Sequence, residues 1–423
     1  MKMKMRPVMP DIVTGARIDL GRLRASILEM AAIGATAAGG VTRLTLTDED
    51  RAARDLFARW CADAGLTLRL DDMGTQYARY EGRDPSLAPV LLGSHLDSVP
   101  AGGKYDGPLG VLTGLEVVRA LRDAGLRGRR AIEIVNFTNE EGARFEPAMV
   151  ASAVLVGAYT ADFVHHRRDA TGLRFGDELD RIGYRGDAAN RPGAIHAYLE
   201  LHIEQGPVLE SENLPLAAVE GILGIRWFNV TLRGQSQHAG PSPMRSRRDA
   251  MVAAGRIIVG LRELALSYPD PVVATVGRLR PVPGVINQIP AEVVMSADVR
   301  HWTDEGLAEI AGKAEALMRR IAVEERVEID IETIQNVPPT RFDPRLVELL
   351  DASIQAVGAP SRRMVAGAGH DAKYMNDITP TAMLFVRTIG GMSHCESEEI
   401  AWDDARLGAE TLLRAALRLA EEP

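Results

Sequence analysis

Val90-Leu91-Leu92-Gly93-Ser94-His95-Leu96-Asp97 is a short apolar run that ends in a polar loop. Consecutive aliphatic residues followed by glycine read as a strand buried on both faces, and such strands belong to parallel sheets. Leu109 to Leu126 then carries a helical pattern. Ala131 to Thr138 is a second buried strand, ending in Asn139-Glu140-Glu141. Strand, loop, helix and strand in that order predict an α/β domain built on a mainly parallel sheet. Upstream, Thr47 before Asp48-Glu49-Asp50 reads as an N-cap with an acidic first turn. Ala53, Leu56, Phe57, Trp60 and Cys61 follow at helical spacing, and Gly65 closes the helix. Sheets of this kind place their sites beyond the carboxyl ends of strands. Both polar endings fall there.

The middle of the chain has another rhythm. Trp227 to Arg233 alternates as a strand and Arg248 to Leu266 reads as a helix. Val272 to Leu279 and Val293 to Arg300 read as strands, Leu307 to Val323 as a helix, and Val327 to Ile334 as a last strand. That β-α-β-β-α-β order is the ferredoxin-like pattern. It predicts an inserted α+β domain over 215–331, with 1–214 and 332–423 forming one domain around it.

Composition narrows the function classes. The chain has 423 residues, 46% hydrophobic and 25% charged, with a formal net charge of -9. It has no basic stripe, so a nucleic-acid partner is not expected. No apolar run approaches the roughly 18 residues that span a bilayer, so no membrane association is expected. Lys2, Lys4 and Arg6 open the chain, but Asp11, Arg17 and Asp19 interrupt any apolar stretch behind them, which argues against a secretory signal. Cys61 and Cys395 are the only cysteines. Two thiols make neither a disulfide framework nor a thiolate zinc cage. The expectation is a reduced, cytoplasmic, soluble protein of more than one domain.

Its chemistry gathers at polar, glycine-rich loops. His95 and Asp97 are two apart in a strand-end loop, where the aspartate could orient a metal-binding imidazole. Asp106 follows in Gly102-Gly103-Lys104-Tyr105-Asp106-Gly107. Glu140 and Glu141 end the second strand, and adjacent side chains on extended backbone point apart. His202 follows an apolar run in Leu201-His202-Ile203-Glu204-Gln205-Gly206-Pro207, and His394 lies in Gly390-Gly391-Met392-Ser393-His394. A lone histidine beside glycine is more often structural, and a Glu-Glu pair is more often solvated surface. Three histidines and three carboxylates in the loops of one domain, however, have the nitrogen and oxygen donor set of a zinc or manganese site. Two ions about 3.5–4 Å apart would need a bridging carboxylate.

The segments GSHLDSVPAGGKYDG (93–107), NFTNEEGARF (136–145), HIEQGPVLE (202–210), HAGPSPM (238–244), INQIP (286–290), GAGHDA (367–372) and GGMSH (390–394) resemble those of the zinc-dependent amidohydrolases of the M20 metallopeptidase superfamily. The similarity is greatest to the hydantoinase/carbamoylase group, which includes N-carbamoyl-L-amino acid hydrolases, bacterial β-ureidopropionases and allantoate amidohydrolases. It runs from about residue 18 to 418. The resemblance implies an M20 zinc-exopeptidase fold with the inserted domain as lid and dimerisation domain. It implies two divalent ions per subunit (Zn, or Mn, Co or Ni): one held by His95, Asp106 and His202, the other by Glu141 and His394 with Asp106 bridging. Glu140 would be the general base, with Asp97 supporting the site. Gln205, Asn287 and His238 would contact substrate, His238 in the site of a homodimer partner, and Arg300 would hold the substrate carboxylate. His370-Asp371 would lie beside the site, while His165, His166, His196 and His301 match no ligand position.

The reaction so implied is hydrolysis of an N-carbamoyl-L-amino acid to amino acid, ammonia and carbon dioxide. Allantoate or N-carbamoyl-β-alanine are the alternatives, although Asn139 stands where allantoate enzymes tend to carry an acid. Aminoacylase or peptidase activity, or an inactive binding protein, are weaker readings, since no ligand and no base is lost. Two departures from the family pattern, Ala151-Ser152 for Gly-Ser and Cys395-Glu396 after the last histidine, would bear on the substrate pocket.

Overall fold

The computed structural model describes residues 15–269 and 272–423. Lys2, Lys4, Arg6 and Asp11, on which the reading of the amino terminus rests, lie outside the described residues. Among the described residues no helix is long and apolar enough to cross a membrane.

The chain divides into two units, one of residues 1–221 and 342–423 and a second of 222–341. The larger holds a mixed sheet whose centre is parallel. Ile132–Phe137 pairs with Val90–His95, Val90–His95 with Ala197–Ile203, and Ala197–Ile203 with Thr381–Val386, all in parallel. These strands are buried at every position, which is why they read as unbroken apolar runs. The outer pairings are antiparallel. Gln76–Tyr80 lies on Ile132–Phe137, Thr67–Leu70 on Gln76–Tyr80, and Leu216–Ile222 on Thr381–Val386. The expected parallel character thus belongs to the central strands, and those strands carry the polar loops.

Helix Pro108–Asp123 returns the chain between the first two central strands and is buried from Pro108 to Leu121. Asp48–Asp63 begins as the sequence predicts, with the Thr47 side chain accepting from Asp50 N, and Gly65 takes a positive φ just after it. This helix carries a buried ion pair. Arg54 Nε donates to Asp50 Oδ2 at 2.9 Å, Nη1 to Gly74 O at 2.7 Å and Nη2 to Thr138 Oγ1 at 3.2 Å. Thr138 sits just before Asn139-Glu140-Glu141, so the pair anchors the start of that loop.

In the smaller unit the long strands Gly224–Arg233, Glu292–His301 and Glu328–Val337 pair antiparallel, with Gly224–Arg233 in the middle. The strand expected over 272–279 forms as two short pieces, Val273–Thr275 and Leu279–Val282, both on Glu292–His301. Helices Ala250–Leu266 and Asp304–Glu325 cover one face and bury Phe228, Val230, Leu232, Val293, Met295 and Ile310 in a shared core. The strand order is that of a ferredoxin-like sheet. Its boundaries fall later than 215 and 331, for two reasons. Leu216 to Val219 still pair in the large sheet, so the chain leaves that unit only after residue 221. The last strand pairs with Gly224–Arg233 well past residue 331, as far as Val337↔Ile225.

Asp50→Ala would strand the Arg54 charge in the interior. Breaking a buried pair from one side costs about 3–5 kcal/mol, so the denaturant midpoint of the larger unit should fall sharply. A loss under about 1 kcal/mol, the scale of an exposed pair, would contradict this account of the Asp48–Asp63 helix.

Candidate metal centre

The parallel strands end side by side, and their loops converge. His95 ends the first central strand, His202 lies in Ala197–Ile203, Glu140 and Glu141 follow Ile132–Phe137, and His394 follows Thr381–Val386. Asp106 stands between them, just before helix Pro108–Asp123. Its Oδ1 lies 3.1 Å from His202 Nε2 and 3.8 Å from His95 Nε2. Its Oδ2 lies 3.3 Å from His394 Nε2, which is 3.4 Å from Glu141 Oε2. The two oxygens of one carboxylate therefore face two separate sets of donors. His95, Asp106 and His202 form one cluster of possible ligands, and Asp106, Glu141 and His394 another.

Glu140 and Glu141 diverge as expected, although not for the expected reason. The backbone before them is not extended. Asn139 adopts a left-handed φ of 60° beyond the strand end, and its Nδ2 holds Phe145 O at 2.8 Å and Pro147 O at 3.2 Å. Past that turn Glu141 faces His394, while Glu140 Oε2 lies 3.6 Å from His95 Nε2.

Asp97 does a different job from the one expected. His95 Nδ1 is 2.9 Å from the backbone oxygen of Asp97, whereas the Asp97 carboxylate is 3.7 Å away. That carboxylate instead faces the backbone N–H groups of Glu140 at 3.3 Å and Glu141 at 3.4 Å. It thus orients the acidic loop, and its own backbone orients the histidine. Buried Arg43 fixes this segment through Leu96 O at 2.7 Å, Ile33 O at 2.9 Å and Met30 O at 3.0 Å.

The donor set fits a divalent cation. His202 Nε2 lies 3.1 Å from Asp106 Oδ1 but, among the described residues, has no well-aligned hydrogen-bond partner, as suits two donor atoms converging on one ion. Burial raises the Glu140 carboxyl well above the usual range, and the charges of Asp371, Glu141, Asp97 and Asp106 add to this. Glu141 is raised likewise, by burial and then by Asp106 and Asp97. Burial works upward on Asp106 too, but contacts with His202 and His394 outweigh it and hold its carboxyl well below the usual range. Burial pushes His95 down to about 4, while at His202 burial also works downward but contact with Asp106 outweighs it and raises the imidazole to about 9. A cation here would relieve the crowding of carboxylates, and imidazole with carboxylate suits zinc or manganese.

A cavity of about 180 Å³ opens on this cluster, lined among others by Asp106, Glu140, His202, Gln205, His370 and His394. Gln205 Nε2 donates to Asp106 Oδ2 at 2.8 Å, and its Oε1 is buried without a partner. His370 lies edge-on to His202, ring centroids 4.5 Å apart, and Asp371 accepts the Ser152 hydroxyl. At the family departures, Ala151 lies outside the cavity lining, which takes Ala148 and Met149 from the preceding turn, and Glu396 accepts from Thr36. His165 and His166 contact the backbone oxygens of Asp72 and Asp162, His196 faces Glu422, and His301 accepts from Thr303 N. Among the described residues none of the four joins a donor cluster.

His238, Asn287 and Arg300 lie in the smaller unit. His238 pairs with Gln288 across a two-stranded ladder, and Ala239 N donates to Asn287 O at 2.9 Å. Arg300 Nη2 donates to Asp298 Oδ2 at 2.7 Å.

A sequence model of peptidase family M20/M25/M40 matches residues 91–418. The chain belongs to this family. Among similar proteins, an N-carbamoyl-L-amino-acid amidohydrolase of Rhizobium meliloti is 42% identical over 405 residues, covering 96% of this chain and 97% of its own. An allantoate amidohydrolase of Escherichia coli K12 is 35% identical over 395 residues, covering 92% and 96%. The crystal structure of a Burkholderia multivorans amidase of the hydantoinase/carbamoylase family matches with a TM-score of 0.93 at 44% identity, covering 96% of this chain and 99% of that one.

Two residues of this M20 site escaped the sequence reading. Ser393 Oγ lies 3.0 Å from Asp106 Oδ2, and buried Glu398 accepts from Asp106 N at 3.1 Å. Ser393 stood inside a recognised motif, so its hydroxyl was a visible signal. Glu398 lay beyond the last motif and had none.

Gly107 explains one motif glycine. Its φ is +82°, and a Cβ there would sit 2.4 Å from His95 Cε1. Gly107→Ala should displace the His95 ring and cost about tenfold or more in metal affinity, read by elemental analysis after dialysis. Full metal content in that variant would remove His95 from the ligand set.

Proposed function

We propose that the protein is a metal-dependent amidohydrolase that cleaves N-carbamoyl-L-amino acids to the amino acid, ammonia and carbon dioxide. The observation that carries this reading is the split Asp106 carboxylate, each oxygen facing its own donors, with Glu140 beside His95. The amidohydrolase names of the similar proteins supply the substrate class. His95, Asp106 and His202 would hold one ion, and Asp106, Glu141 and His394 the other. When bound, such ions polarise a carbonyl and lower the pKa of water, which suits a ureido carbon made unreactive by two donating nitrogens.

The chain's own groups account for the rest. Glu140 takes the proton of the attacking water and hands it to the departing nitrogen. The new C–O bond replaces a C–N bond, ammonia leaves, and the carbamic acid that remains loses carbon dioxide. Gln205 Oε1, buried without a partner, accepts a ureido N–H. Arg300 grips the substrate carboxylate with its planar fork, which Asp298 holds in place from the side. His238 donates to the developing oxyanion and Asn287 contacts substrate. The smaller unit acts as lid and dimerisation domain of a cytoplasmic homodimer, and His238 serves the partner's site.

A panel of N-carbamoyl-L-methionine, N-carbamoyl-β-alanine and allantoate, read by ammonia release, tests the substrate class. The highest kcat/KM should fall on the carbamoyl-L-amino acid. A higher value on allantoate would move the assignment to that enzyme, and release from none would end the amidohydrolase reading. Asn139 favours the carbamoylase, because its side chain donates to two backbone oxygens and an acid there could not.

Glu140→Gln should keep its metal and lose at least about a hundredfold in kcat, whereas Glu141→Gln should lose metal. Wild-type kcat in Glu140→Gln would overturn its role as base. For the shared site, inactive Glu140→Ala and His238→Ala homodimers are mixed and allowed to exchange subunits. Random exchange makes about half the dimers mixed, with one intact site in each, so roughly a quarter of sites should recover. Complete exchange without recovery would place His238 in its own chain's site.

A further inference from the structure

We infer that Glu398 is the positioning residue that ties the Asp106 loop to the His394 loop, and that it sets the affinity of the Asp106–Glu141–His394 half of the metal centre more than that of the other half. This rests on the two-ion reading above.

The ligands are not held alike. The side chains of His95 and His202 are 1% exposed and held by the backbone oxygens of Asp97 and Ile203, whereas that of His394 is 50% exposed. Burial cannot place His394. Glu398 is 1% exposed, and its carboxylate contacts both loops. Oε1 accepts from Tyr105 N at 2.9 Å and Asp106 N at 3.1 Å, so it grips the backbone of the bridging aspartate itself. Oε2 faces Ser393 Oγ at 3.1 Å, and the same hydroxyl lies 3.0 Å from Asp106 Oδ2. A serine hydroxyl carries one proton and can donate to only one of these oxygens at a time. It is therefore a movable link between the clasp and the bridging carboxylate. The backbone N–H of Glu398 closes the turn after His394 by donating to Cys395 O at 3.1 Å.

Gly103 supports the same conclusion from the other side. A Cβ at Gly103 would lie 1.9 Å from Glu398 Oε1, so that motif position must stay bare for the glutamate to enter. Next door, the Tyr105 hydroxyl donates to Glu399. Segments almost 300 residues apart are thus fastened through Tyr105, Asp106 and Ser393 to a single turn. A polar group that orients ligands in this way ordinarily governs metal affinity while leaving the fold intact.

The test is a titration of metal-free protein with zinc against a chromophoric chelator, which resolves the two ions by affinity. His394→Ala, lacking the ligand itself, identifies which step belongs to its half. In Glu398→Ala that same step should weaken by about 10- to 100-fold, and clearly more than the other step. Glu398→Gln keeps an oxygen for the two backbone N–H groups but loses an acceptor for Ser393, and should fall between Glu398→Ala and wild type. Ser393→Ala should weaken the same step. It decides the matter if Glu398→Ala proves insoluble. Equal weakening of both steps, or of neither, would overturn the proposal. A single zinc step in the wild type would instead overturn the two-ion reading on which it rests.

Discussion

A single buried carboxylate organises this molecule. Asp106 must present one oxygen to His95 and His202 and the other to His394, within reach of Glu141. Those partners come from three strand ends and a distant loop, so the sheet must deliver them in register. Parallel pairing of the central strands does so, because it puts every carboxyl end on the same edge. The cost is electrostatic. Asp97, Asp106, Glu140, Glu141 and Asp371 lie close enough to oppose one another's ionisation, and a divalent cation is the simplest counter-charge for such a cluster.

The surrounding contacts serve that arrangement. Arg54 and Asp50 hold Thr138 before the acidic loop, Arg43 holds the backbone after His95, and the Asp97 carboxylate faces the two N–H groups of the acidic pair. Glycines do the remaining work by leaving room. Gly107 admits the His95 ring and Gly103 the Glu398 carboxylate. A motif that reads as a flexible loop is in fact a tightly occupied one, and each bare position has a named occupant.

Much of this was legible in the sequence. Buried strands have no polar face, so Val90–His95 and Ile132–Phe137 stood out as apolar runs, and the polar residues after them marked the site. The ferredoxin-like unit was readable because its strands Gly224–Arg233 and Glu292–His301 alternate over one buried face. What escaped has a common cause in contacts that leave no local pattern. The bond from His95 to the Asp97 backbone rather than its carboxylate depends on the path of the loop. The left turn at Asn139 cannot be seen in a residue that also suits extended chain. Glu398 joins a loop almost 300 residues away. The unit boundaries shifted because Leu216–Ile222 is fixed by its partner strand and not by its own composition.

The central claim is that Asp106 divides its two oxygens between two cations. Anomalous diffraction at the zinc edge, from crystals of the zinc-loaded protein, tests it most directly. The account predicts two anomalous peaks about 3.5–4 Å apart, one on the His95–His202 side of the Asp106 carboxylate and one on the Glu141–His394 side. One peak, or two peaks that leave either Asp106 oxygen unligated, would contradict it.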